Sequence, residues 1–172
     1  CRFMLVAAAN PCRCGFLTDA NRACSQAPKC AETYLGRISG PLMDRFDLRV
    51  DVPPVSFTDL DLPNDGERSG DVATRVAQAR QRQADRYKAH DDMYLNADAE
   101  GEALSEFATP EPEGRDLLIK VAQQFGLSAR GYHRVLRVAR TIADLDGSDA
   151  VTRTHVAEAV SYRLNPSAPQ SN

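Results

Sequence analysis

The chain has 172 residues, 42% of them hydrophobic and 26% charged, with a formal net charge of −3. That balance excludes wholesale disorder and supplies enough apolar material for one ordinary domain or two small ones. The longest apolar run, residues 3–9, is far shorter than the ~20 residues that cross a bilayer, and no basic-then-apolar leader precedes it, so the expectation is a cytoplasmic protein without membrane contact.

Residues 2–9 are continuously apolar and predict a buried strand of a parallel sheet, stopped by Asn10 and Pro11. A chain that starts with Cys1 inside such a run, without a Met, has the look of a piece of something longer. Residues 11–30 hold Cys12, Cys14, Cys24 and Cys30 among Gly15, Asp19, Asn21 and Pro28, which predicts an irregular loop that something other than packing must order. Pro28 can open a helix to about Ile38, closed by Ser39 and Gly40. A helical turn at 41–45 follows, and then a strand at 47–52, where Leu48, Val50 and Val52 alternate with charged residues before Pro53 and Pro54 end it.

Residues 59–70 are dense in Pro, Asn, Asp, Gly and Ser and mark a linker, beyond which the hydrophobic period changes from two to 3.6. Ser69 or Asp71 can cap a helix over 72–88 with a thin apolar face of Val72, Val76 and Ala79. Its bases Arg75, Arg80, Arg82, Arg86 and Lys88 face only Asp85, whereas 91–113 contains eight acids and no Lys or Arg. This is the pattern of a solvated basic helix beside an acidic segment, with a nucleic-acid surface as the sharper alternative. A short helix at 100–107 is followed by Pro110 and Pro112, which favour extended chain, and then by a helix at 114–125 ended by Gly126.

The stretch "SARGYHRVLRVARTIADLDG" is the clearest helix. Ser128 caps it, Val135, Leu136, Ala139, Ile142 and Ala143 form one apolar face, Arg130, Arg134 and Arg137 run along another, and Gly147 stops it. A last helix at 152–162 is capped by Thr152, and 166–172 is expected to be a disordered tail. The second half therefore predicts a small helical bundle.

Four cysteines within nineteen positions are a donor set for tetrahedral Zn²⁺, with free structural thiols as the alternative; a reducing compartment disfavours disulfides. Their spacing of one, nine and five intervening residues is not that of the common double knuckle. Four protein thiolates leave no open position for a substrate water, so such an ion would order the loop and not catalyse. Asn10 at a strand end, Arg45 in "LMDRFD" and Arg130 beside a helix cap each have an ordinary reading, respectively a backbone-satisfying amide, a surface ion pair and a solvated cation. They also make a set able to orient a water and grip a phosphate.

The segments "LVAAANPCRCG", "GRISGPLMDRFDLRVDVP" and "GLSARGYHRVLRVARTIADLDG" closely resemble the C-terminal half of the Mg-chelatase-like competence ATPases, the ComM/YifB group of bacterial AAA+ proteins. The resemblance implies an α/β fold: the C-terminal part of an AAA+ core with the Cys-rich loop (1–58), a linker (59–70) and an all-α lid (71–165). It places the sensor-one asparagine at Asn10, the arginine finger for a neighbouring subunit at Arg45 and the sensor-two arginine at Arg130. It also implies ATP and Mg²⁺ as cofactors, a homo-hexamer, and DNA as the substrate of branch migration or helicase action in DNA uptake and recombination. Two departures stand out: no glycine-rich loop ending in Lys-Ser/Thr and no apolar strand ending in Asp-Glu occurs here, so this chain alone should not hydrolyse ATP. Gln26 occupies the place of the second cysteine of a pair that group members space one residue apart. The alternatives are a metal-chelatase-type ATPase subunit that remodels a protein, and a non-enzymatic zinc-and-helix adaptor that binds nucleic acid through 75–88.

Overall fold

The computed structural model describes residues 3–17, 24–53, 55 and 66–164 and divides into two compact units, one running to Phe46 and one starting at Asp47. Cys1, Pro54, the tail 166–172 and residues 59–65 of the expected linker lie outside the described residues. No helix among the described residues is long and apolar enough to cross a membrane.

In the first unit, residues 3–10 are extended, and two short helices follow the cysteine loop: α1 (Lys29–Leu35) and α2 (Gly40–Met43). Ser39 does not end the first helix but opens the second, its hydroxyl accepting the Leu42 N–H at 3.3 Å. The buried described residues of this unit are Cys12 and Ala31.

The expected parallel sheet of an α/β fold is overturned. Among the described residues there is no strand, and the β-type pairing that occurs is an isolated bridge between Pro110 and Val151. The 3–9 run is exposed instead of buried (Phe3 77%, Met4 87%, Val6 82%), as are Val50 at 67% and Val52 at 86%. A hydrophobic pattern sets which backbone a segment prefers, but a strand also needs a neighbouring segment to take its N–H and C=O groups. The described residues give 47–52 one such bond, Arg49 N–H to the Tyr162 carbonyl at 2.8 Å, and no ladder.

The second unit is the helical bundle. It contains α3 (Ser69–Arg86), a 3₁₀ turn (Asn96–Asp98), α4 (Gly101–Ala108), α5 (Pro112–Phe125), α6 (Ala129–Leu145) and α7 (Arg153–Ser161). Helix α6 is the axis, packing on α3, α4, α7 and the 3₁₀ turn, while α5 packs on α7. All five residues of its apolar stripe, Val135, Leu136, Ala139, Ile142 and Ala143, are buried with Leu118, Val156, Ala159 and Tyr87 in one core. Helix α5 starts two residues earlier than expected because Pro112 occupies its first turn, where a missing N–H costs nothing. Gly126 ends α5 at φ 61°, the left-handed conformation a C-terminal cap requires. Helix α3 is anchored thinly: Ala79 and Gln83 are buried, while Val72 (36%) and Val76 (42%) stay exposed.

Candidate functional site

Three separate arrangements bear on function, and the sequence-predicted residues fall into two of them. The first is the cysteine loop. A turn closes from Gly15 N–H to the Cys12 carbonyl (3.1 Å), with Gly15 at φ 82°, and a second from Ala27 N–H to the Cys24 carbonyl (2.9 Å). Helix α1 then begins with Cys30 N–H bonded to the Gln26 carbonyl at 3.0 Å, so Cys30 stands one helical turn beyond Gln26.

The sulfurs of Cys12, Cys14 and Cys30 lie within 4.8 Å of one another, Cys12 and Cys14 being 3.1 Å apart. Cys24, half-buried just before α1, lies outside that group of three. The backbone amides of Cys14, Gly15 and Leu17 favour the Cys12 thiolate, that of Phe16 the Cys14 thiolate, and that of Gln26 the Cys24 thiolate. The Cys14 thiol, and then these amides, lower the Cys12 pKa to about 7 against its desolvation. The Phe16 amide favours the Cys14 thiolate, but its contacts with Cys12 and Cys24, together with burial, outweigh that and raise Cys14 to about 11. For Cys24 the Gln26 amide, and then the Cys14 thiol, lower the value.

The second arrangement is the set of polar residues. Asn10 is exposed at the end of the extended segment, and Arg45 is exposed just past α2, its Nη1 donating to the Pro41 carbonyl at 2.8 Å. Both belong to the first unit and Arg130 to the second. Arg130 lies in the first turn of α6, exposed and with no hydrogen-bond or ion-pair partner among the described residues. Ser128 Oγ accepts the Gly131 N–H at 3.1 Å and so fixes that turn. Buried Arg163 backs it: a Cβ added to Gly131 would come within 3.1 Å of the Arg163 guanidinium, a tight contact that a shift of a few tenths of an ångström in that side chain would have to relieve.

The third arrangement went unread in the sequence. Asp144, fully buried on α6, accepts two bonds from Arg86 of α3 (2.8 and 2.5 Å), one from Asn96 Nδ2 (2.8 Å), and pairs with Arg140 at 3.1 Å. Asn96 Oδ1 in turn accepts from Tyr87 (3.0 Å) and Arg86 (2.9 Å), and Arg140 also donates to the carbonyls of Ser148 and Asp149. Burial alone would raise the Asp144 carboxyl, but the hydrogen bonds of Arg86 and Asn96 and the two guanidinium charges hold it below the usual carboxylate range. The same carboxylate raises Arg86 further, whereas burial pulls Arg140 down. One signal was available: Arg140 and Asp144, four apart, share the buried side of α6 with Leu136 and Ala143.

The basic character of α3 is largely spent inside the unit. Arg75 makes a bidentate pair with Glu67 (2.9 and 3.0 Å), Arg82 reaches Asp149 (3.1 Å) and Arg86 holds Asp144. Arg134 of α6 pairs with Asp47, and Arg137 with Glu100 at 3.3 Å and the Ala99 carbonyl at 2.9 Å.

An all-helical bundle whose central helix opens on an exposed arginine, together with a cysteine-clustered segment, defines a helical module with a thiol-rich companion. Family models match along the chain: that of the magnesium chelatase subunit ChlI covers residues 1–60, and that of the ChlI C-terminal region covers 66–163. The chain belongs to the magnesium chelatase ChlI family, in its ComM/YifB-like branch. It is 41% identical over 165 residues to YifB of Escherichia coli strain K12, and 38% identical over 163 residues to the competence protein ComM of Haemophilus influenzae. Each match covers 94% of this chain, and the chain spans 31% of the length of these curated relatives.

Proposed function

We propose that this chain carries the nucleotide-sensing and lid elements of a cytoplasmic ATP-driven motor that works as a ring of like subunits on DNA, residues 71–165 acting as the lid. The observation that carries the reading is Arg130, an exposed guanidinium without a partner among the described residues, at the positive end of the best-anchored helix. Its planar fork suits phosphate oxygens, and the free N–H groups of the first turn of α6 favour the same charge. Bound ATP with Mg²⁺ supplies the γ-phosphoryl that is transferred to water. The residues present fit contact with the outer phosphates and not a whole nucleotide site, since no glycine-rich loop ending in Lys-Ser/Thr lies within these 172 residues.

In this reading Asn10 orients the attacking water with its side-chain amide. Arg45 is offered to the nucleotide of the adjacent subunit, where it neutralises charge developing on the transferred group. Arg130 senses its own subunit's phosphates. Because α6 is buried along its whole apolar stripe, a pull on Arg130 moves the bundle as a body and not as a loop. The assignment to DNA is supported by the similarity to a competence protein. Weighing against the adaptor alternative, Arg75, Arg82 and Arg86 are each paired with an acid.

The deciding experiment is made in the full-length protein. Arg45→Ala is expected to lower ATP turnover by roughly 10³-fold or more with nucleotide affinity changed only a few-fold, as a charge that acts on the transition state should. Turnover equal to wild type removes the finger from Arg45. Stimulation of turnover by branched DNA supports the DNA reading, and its absence with a working ATPase redirects the proposal to a protein substrate.

A further inference from the structure

The first unit has a problem of cohesion that the second does not. Its buried described side chains are Cys12 and Ala31, and its helices α1 and α2 are seven and four residues long, too short to be stable alone in water. Units this small that lack an apolar core usually rest on a metal or disulfides. What the unit does have at its centre is sulfur.

We propose that Cys12, Cys14, Cys24 and Cys30 together bind one structural Zn²⁺ ion, with Cys30 supplying a ligand from helix α1. Zn–S bonds of about 2.3 Å put tetrahedral sulfurs roughly 3.8 Å apart. The cluster brackets that value, with Cys12 and Cys14 at 3.1 Å and the Cys12, Cys14 and Cys30 sulfurs all within 4.8 Å. Cys24, in the turn that its carbonyl closes with the Ala27 N–H just before α1, is the remaining described thiol of the loop and supplies the fourth ligand.

Two turns and a helix end present the thiols: the Gly15 N–H closes on the Cys12 carbonyl at 3.1 Å, the Ala27 N–H closes on the Cys24 carbonyl at 2.9 Å, and Cys30 stands in the first turn of α1. Soft thiolates select zinc or iron–sulfur clusters over hard cations, and four thiols on one short loop suit a single ion.

The position of Cys30 is the distinctive part. Cys24 and Gln26 lie in a turn, and a ligand at 26 would bind from the loop. Placing it at 30, one helical turn on, makes the ion part of the N-terminus of α1. Metal binding would then nucleate the helix, removing the entropic cost of its first turn.

The test uses the whole 172-residue chain, purified under reducing conditions, equilibrated with Zn²⁺ and dialysed, with Co²⁺ as an optical probe. The expectation is one equivalent of zinc per chain, and for the Co²⁺ form the intense visible bands of tetrahedral thiolate coordination. Cys30→Ser should weaken zinc binding by more than roughly 100-fold, since losing a ligand exceeds the 10–100-fold cost of an outer-shell partner. Gln26→Ala, which keeps the backbone amide on Cys24, should bind as wild type. Amide exchange in 28–38 should rise on chelation while that in α5, α6 and α7 stays slow, which reads the site even if Cys30→Ser disorders the first unit. No stoichiometric zinc, iron–sulfur cluster in its place, or undiminished zinc affinity in Cys30→Ser would overturn the assignment.

Discussion

The two units of this chain solve the same problem by opposite means. From Asp47 onward, thirteen buried apolar residues form one core around α6, and a buried carboxylate ties α3, the 3₁₀ turn and α6 together. Up to Phe46 the described chain buries two side chains, and the sulfurs of Cys12, Cys14 and Cys30 gather within 4.8 Å of one another. A core of that extent can hold helices whose sequence alone would not keep them folded, whereas a cysteine cluster concentrates all cohesion at one point. The bundle should therefore answer to packing and protonation, and the first unit to chelation.

The largest expected effect breaks the bundle's own centre. Asp144→Asn leaves Arg86 and Arg140 facing each other without a counter-charge, and losing one member of a buried charged set costs about 3–5 kcal/mol. Urea unfolding followed by helical circular dichroism should show that loss, with zinc content unchanged. A loss below ~1 kcal/mol would mean that the carboxylate is not what binds α3 to α6.

Acid should reproduce part of this effect in the wild type. The Asp144 carboxyl is held below its ordinary value in the folded chain, while the unfolded chain titrates near ~3.9, so the unfolded state takes up its proton first as pH falls. The stability it contributes is complete above about pH 5 and is lost as pH drops through the folded-state value. In Asp144→Asn that acid-limb slope should be shallower. Equal slopes in the two proteins would assign the acid sensitivity to other carboxylates.

These two units were not equally legible. Helix α6 could be read closely because its signals are local: Ser128 caps it, Gly147 follows it at φ 72°, and the 3.6-residue stripe between them is buried residue for residue. The thiol cluster was legible in composition, but not the turn of α1 that carries Cys30 back to Cys12. The sheet was misread because an alternating or continuous apolar run says nothing about whether a partner segment exists, and 3–9 has none among the described residues. The Asp144 network was missed for a related reason. Charge at Arg86, Arg140 and Asp144 looks like surface until α3, 58 residues from its partner in sequence, is laid against α6.

The smallest expected effect on folding is also the sharpest test of what the bundle is for. Arg130 is exposed and makes no bond among the described residues, so Arg130→Ala should leave unfolding within about 0.5 kcal/mol of wild type, as surface substitutions away from caps and cores do. The cap itself is untouched, because Ser128 and not Arg130 satisfies the Gly131 amide. If the bundle existed only as a scaffold, nothing else would change. If α6 reports on an outer phosphate, the same substitution in the full-length protein should lower ATP turnover while stability stays put. Arg130→Lys should recover only part of that loss, since an ammonium keeps the charge but not the planar two-pronged grip. Full activity in Arg130→Ala would leave the helix without a nucleotide to sense, whereas a large stability loss would mean that the side chain has a structural partner in the assembled protein.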